Sequence, residues 1–211
     1  MATIYSSGVE LNRVAPPRLP AAPVEYDRQF IEQYSNILRL YFNQLTNIFS
    51  QLNRAPYGAF SSNLDQTTTA NVDTLMTLNT TDFADGVSIN TSKITVAAAG
   101  IYNLQFSVQL ENAHNAPEDV FIWLKQNGFD IPGSTGKVGM PARKGTGDPF
   151  HAIYGWNYFL SMAANDYVEI YWSTTNAGVT IQFYPASGSP TKPSTQSVVA
   201  TMSFVASVPL P

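Results

Sequence analysis

The sequence predicts a mainly β protein: an antiparallel jelly-roll β-sandwich preceded by an N-terminal extended arm and one amphipathic, coiled-coil-like helix. Three observations carry that reading. From about residue 85 onward, apolar and polar residues alternate at period two, the signature of strands with one buried and one wetted face. Ahead of that region, residues 31 to 52 keep a strict heptad spacing. Ahead of the helix, the run "APPRLPAAP" disfavours both helix and interior strand. The implied organisation is a proline-rich anchoring arm over 1–25, a trimerising helix over 26–54, a linker and edge strand over 55–84, and a jelly-roll head over 85–211.

Composition agrees with this layout. Hydrophobic residues make up 44% of the 211, enough for a sizeable core, while charged residues reach only 12%, against roughly 25% in ordinary soluble domains. A net charge of −4 with scattered lysines and arginines offers no basic footprint for nucleic acid. No cysteine is present, so neither a disulfide framework nor a thiolate site is expected. The N-terminus lacks a basic n-region and an apolar h-region, and no run of 18 apolar residues occurs, so neither a standard export signal nor membrane insertion is predicted.

The arm residues expected to dock on a larger body are Pro16, Pro17, Leu19, Pro20 and Pro23. Asp27 is placed to cap the helix that follows. In that helix Ile31, Tyr34, Leu38, Tyr41, Leu45, Ile48 and Leu52 recur at steps of three and four, and Phe30, Ile37, Phe42 and Phe49 widen the apolar stripe. The stripe is wider than a two-stranded coil needs, so the prediction is a trimer stalk or a helix docked on a further surface. The alternative is that the helix folds back on its own β-domain. "NRAPYG" ends it, and the Thr-rich stretch 61–83 reads as a linker running into an edge strand.

The head begins with short strands over 87–96. In "GIYNLQFSVQL" Tyr102, Leu104, Phe106, Val108 and Leu110 face a core. Val120, Ile122 and Leu124 do the same, and Asn127-Gly128 calls for a two-residue hairpin of type I′. "HAIYGWNYFLSM", "DYVEIYWST", "GVTIQFYPA" and "QSVVATMSFVAS" supply four more strands. The residues expected in the head's core or in its trimer contacts are Tyr102, Leu104, Phe106, Tyr158, Tyr171 and Phe204. Loops at 111–119, 133–150 and 185–196 are the candidate recognition segments.

The strand Gly100-Ile-Tyr102-Asn-Leu104-Gln-Phe106 resembles the Gly-x-Tyr strand of the complement globular-head and tumour-necrosis-factor-like jelly rolls. "IWLKQNG", "LSMAANDYVEIYW" and "VVATMSFVA" follow in that family's order, and the similarity covers about residues 85 to 206. It implies heads that associate as trimers through aromatic and aliphatic residues of one sheet, commonly on a trimerising stalk. The chain has neither the collagen repeats nor the membrane anchor of familiar members. Its arm and helix, "RVAPPRLPAAPVEYDRQFIEQYSNILRLYFNQL", instead resemble N-terminal segments of structural proteins of tailed bacteriophages, marine ones especially. That resemblance implies a virion protein assembled in the host cytoplasm and exposed on the particle, with the arm on portal, tail or major capsid protein. Tail fibre or spike with host-surface binding, including a host glycan, and capsid decoration as a cement or head-fibre protein are both compatible with it. An extracellular ligand-type trimer and a carbohydrate-active enzyme remain as further alternatives.

No catalytic residue, metal ligand or cofactor is singled out. His114 and His151 belong to no metal-ligand spacing or nucleophile motif. The carboxylates Glu118, Asp119, Asp130, Asp148, Asp166 and Glu169 select no glycosidase pair, and Glu118, Asp119 and Asp148 match no calcium loop. "GSTGKVG" at 133–139 lacks phosphate-loop spacing and reads as a turn. Trp123, Trp156 and Trp172 are expected mostly in core or trimer contacts.

Overall fold

The computed structural model describes residues 16–21, 23–52 and 55–207, with helix side chains described as far as Thr46. The chain divides into two units, one through Ala55 and one over Pro56–Val208.

The first unit holds α1, Arg28–Leu52. Asp27 caps it as expected: its carboxylate accepts from the Gln29 amide at 2.8 Å, and its carbonyl accepts from Ile31 at 3.2 Å. Arg28 and Glu32 pair one turn apart. Phe30, Tyr34, Ile37, Leu38, Tyr41 and Leu45 form a half-buried stripe, and no described helix side chain is buried. Of the arm residues, Pro16, Pro17, Leu19, Pro20 and Pro23 lie in irregular backbone at the surface. The expected seam residues Ile48 and Leu52 have side chains outside the described set.

The second unit is the sandwich. Its strands are β1 Tyr57–Ser62, β2 Thr74–Leu75, β3 Thr80–Asp85, β4 Val87–Asn90, β5 Lys93–Val96, β6 Gly100–Asn112, β7 Glu118–Gln126 and β8 Phe129–Asp130, then β9 Gly136–Met140, β10 Phe150–Met162, β11 Tyr167–Thr174, β12 Val179–Ile181, β13 Ser187–Gly188, β14 Thr191–Lys192 and β15 Val198–Ala206. Sheet one runs β10-β6-β15-β1-β3, with β12 also on β6. Sheet two runs β4-β5-β11-β7-β8, with β2 on β11 and β9 on β7. Every named strand pairing is antiparallel, and the chain passes between sheets at β5 to β6, β6 to β7, β9 to β10 and β10 to β11. Such crossings make a jelly roll rather than two meanders.

The alternating residues behave as their spacing dictates. Leu104, Val108, Val120, Leu124, Val168, Ile170 and Trp172 from the two sheets share one core. Asn127 and Gly128 both adopt positive φ, 52° and 83°, as a type I′ turn requires. Asn127 then donates to Asp166, which also accepts from the Gln126 side chain and the Ala163 amide. Those bonds hold the Asp166 carboxyl below the usual carboxylate range, Asn127 contributing most.

The structure corrects the sequence reading in two places. The head starts at Pro56, not at residue 85, because the expected linker contributes β1, whose residues from Gly58 to Ser62 are all buried between β15 and β3. "YGAFSS" has one large apolar residue and no alternation, so burial of its glycine, alanine and serines leaves no periodic trace. The expected turn at 133–139 is partly β9, which pairs with β7 and buries Val138 and Met140. Gly136 is required there because the Trp156 indole occupies the space a Cβ would take.

Candidate functional site

The helix presents its apolar stripe without covering it. Ile31 stays on the exposed side of the seam, and Leu40 and Phe42 are 60% and 59% exposed. Rings pair along the surface, Phe30 on Tyr34 at 6.1 Å between centroids and Tyr41 on Phe42 at 5.8 Å.

The head presents a second uncovered surface, on the outer face of sheet one. Strand parity puts Ile101, Asn103, Gln105, Ser107, Gln109 and Glu111 of β6 on this face, with His151, Ile153, Gly155, Asn157, Phe159 and Ser161 of β10 beside them. Val199, Thr201, Ser203 and Val205 of β15 complete it. On the outer face of these three strands the only ionisable side chains are Glu111 and His151, both at one end. Ile153 and Phe159 are each 65% exposed. Between them Gly155, opposite Ser107, leaves a shallow groove of about 560 Å³ lined by Gln105, Ser107, Asn157, Val199 and Thr201. Across the groove Asn103 donates to Asn157.

The residues expected in the head's core or in its trimer contacts divide between the core and an outer face. Tyr102, Leu104 and Phe106 are core residues. Tyr102 packs edge-on against half-buried Phe204 at 5.5 Å, donates to the Ala98 carbonyl, and has its phenol pKa raised by burial. Tyr158 points inward from β10 and donates to the Ser134 carbonyl at 2.6 Å. Tyr171 lies on the outer face of sheet two beside Trp123. Of the other tryptophans, Trp156 stacks on Phe106 at 5.4 Å and Trp172 is fully buried.

Two of the expected recognition loops meet at one end of the sandwich, where β6 ends at Asn112. The Asn112 side chain is fully buried and donates to the Ala116 and Pro141 carbonyls, tying the 113–117 and 141–149 segments together. Ala113 bonds Gly178 and Arg143 bonds His114 through the backbone. Tyr184, just ahead of the third loop, donates to Glu111 at 3.1 Å and lies 2.9 Å from His151 Nδ1. Burial and the Glu111 carboxylate push the Tyr184 phenol far above its ordinary pKa. His114 Nδ1 stands 2.6 Å from Glu118, whose other oxygen accepts from Thr175, and Asp119 pairs with Lys137 at 2.8 Å. Both histidines are thus tied to glutamates, and among the described residues no group of three or more His, Cys, Asp or Glu could hold a metal ion.

The opposite end is where the head's chain begins. There Phe204 donates to the Pro56 carbonyl and Ala206 pairs with Ile101. The thirteen residues of β6 between the ends span about 40 Å. Among the described residues no helix is long and apolar enough to cross a membrane. The chain matches no protein-family model and no curated protein.

Proposed function

We propose that the chain is a non-enzymatic, homotrimeric surface protein of a bacteriophage particle. The arm docks on the particle, α1 joins three copies, and the head is displayed outward as a tail fibre, spike or host-surface binding module. The observation that carries this reading is the polarity of the head. It is entered at Pro56, and the 113–117, 141–149 and 175–178 segments lie at the far end, some 40 Å away by strand length. A domain of that shape keeps the loops at that end clear of whatever holds its N-terminus.

One apolar surface and one nearly uncharged polar surface with scattered exposed apolar residues support association with further copies. The heptad stripe of α1 needs facing helices, and the nearly charge-free face around Gly155 needs a partner without charge, as a second head supplies. Head contacts therefore move from the expected core aromatics to Ile153, Phe159, Val199 and Val205. The resemblance of the arm and helix to phage structural proteins supplies the particle. Capsid decoration as a cement or head-fibre protein is the second reading, which the same arm, helix and head would serve.

Absolute molar mass by light scattering tests the assembly. The full-length chain is expected near three times 23.1 kDa, falling to one chain in a Leu38→Asp/Leu45→Asp variant and showing partial dissociation in Phe159→Ser. A monomeric full-length chain overturns the proposal. Crosslinks from the arm to capsid protein on purified particles would decide for decoration, and crosslinks to a tail component for the fibre.

A further inference from the structure

Glu169 lies on β11 between Val168 and Ile170, which point into the core, so its side chain belongs to the outer face of sheet two. It is only 5% exposed, and among the described residues it makes no hydrogen bond or ion pair, although its oxygens are not sealed from solvent. A carboxylate held this way costs stability unless something donates to it.

Its neighbours do not. Lys125 of β7 stands directly opposite it, and one step past the Val168–Ile94 pair brings Lys93 of β5 to its other side. Both lysines turn away. Lys93 Nζ sits over the Tyr167 ring, 4.2 Å from its centroid, and Lys125 Nζ sits over Tyr171 at 4.4 Å while reaching Asp130 at 3.4 Å. Trp123 lies beside Tyr171 at 5.9 Å and 32°, and its indole N–H donates to Asp130 at 2.9 Å, which fixes the plane of the ring.

We propose that this patch is a binding site for a neutral pyranose sugar, with Glu169 as the central acceptor. Lys93 and Lys125 balance Glu169 and Asp130, so the patch has no net charge to attract an ion. An anion would meet Glu169, and a cation would meet two ammonium groups. A neutral pyranose offers hydroxyls that donate to Glu169 and accept from the lysines, and its apolar C–H face suits the Trp123 ring. The site lies on the sheet opposite the proposed head contacts, so trimer formation leaves it free. Its biological use rests on the display reading, since a displayed head needs a ligand.

The test titrates the full-length chain with the methyl pyranosides of glucose, galactose, mannose and N-acetylglucosamine, followed by saturation-transfer NMR and tryptophan fluorescence. Saturable binding of at least one is expected, weakened tenfold or more in Glu169→Gln with the thermal transition retained. Tyr171→Leu, at a half-exposed position, provides a second variant and should weaken binding as well. Three results overturn the proposal: no saturable binding of any of the four, binding unchanged in both variants, or tighter binding of the anionic methyl glycoside of N-acetylneuraminic acid. Light scattering on the same samples reads assembly separately, so failure of the sugar site and failure of the trimeric display reading are distinguishable.

Discussion

The helix and the head treat their apolar residues in opposite ways. In the head Phe60, Leu104, Val168 and Trp172 are fully buried, whereas in the helix Leu40 and Phe42 face solvent and the heptad stripe is at most half covered. The head is a closed object in which each sheet buries the face of the other. The helix carries a face with nothing of its own unit to bury it, although most of a helix's stability in proteins comes from packing such a face. One region completes its burial within its own unit, and the other carries an apolar face that its own unit leaves at most half buried.

The largest effect that would sharpen this contrast is expected from Leu104→Ala. Removing a fully buried core side chain leaves a cavity and should lower head stability by about 2–5 kcal/mol in urea denaturation. Light scattering in mild urea, with the head unfolded, should still report associated helices. If the assembly falls apart together with the head, the two regions are not independent and the contrast fails. Asp27→Ala acts on the other side. It removes the bond to the Gln29 amide and should cost the helix about 1 kcal/mol, read as lower helical ellipticity on dilution with an unchanged urea midpoint for the head.

The smallest effect is expected from acid. Asp166 has its folded pKa depressed by Asn127, Ala163 and Gln126, so its contribution is present above the unfolded carboxyl value of about 3.9 and is lost as pH falls through the folded value. The head's urea midpoint should fall below about pH 4, and Asp166→Asn should flatten that part of the profile while lowering stability at neutral pH. An identical slope in the variant would assign the acid sensitivity to other carboxylates.

The parts of this fold that could be read from the residues were those with a period. Alternation in β6, β7, β11 and β15 and the heptads of α1 each reflect one face meeting apolar surroundings and one meeting water. β1 had no such trace, since glycine, alanine and serine are buried as readily as leucine once a neighbouring sheet covers them, and in β9 the alternation of Lys137, Val138, Gly139 and Met140 is too short to stand out from a turn. In "HAIYGWNYFL" apolar residues fall on both faces of β10, so Tyr158 and Phe159 look alike in the sequence, yet one packs inward and the other stands in solvent. Glu169 reads as the wetted residue of "DYVEIYW", and only the rows of Lys93 and Lys125 beside it, distant in sequence, reveal that it is buried.

By itself the sequence determined the local grammar of this protein: a capped helix with an apolar seam, strands that alternate, and a hairpin turn at Asn127-Gly128. Those are set by interactions within a few residues, where backbone sterics and side-chain spacing suffice. Tertiary structure alone decided which face of each strand met the core, which loops gathered around Asn112, and which surfaces around Gly155 and Glu169 were left without a partner. Each of those outcomes depends on residues far apart in the chain, whose proximity exists only after the two sheets have closed on one another.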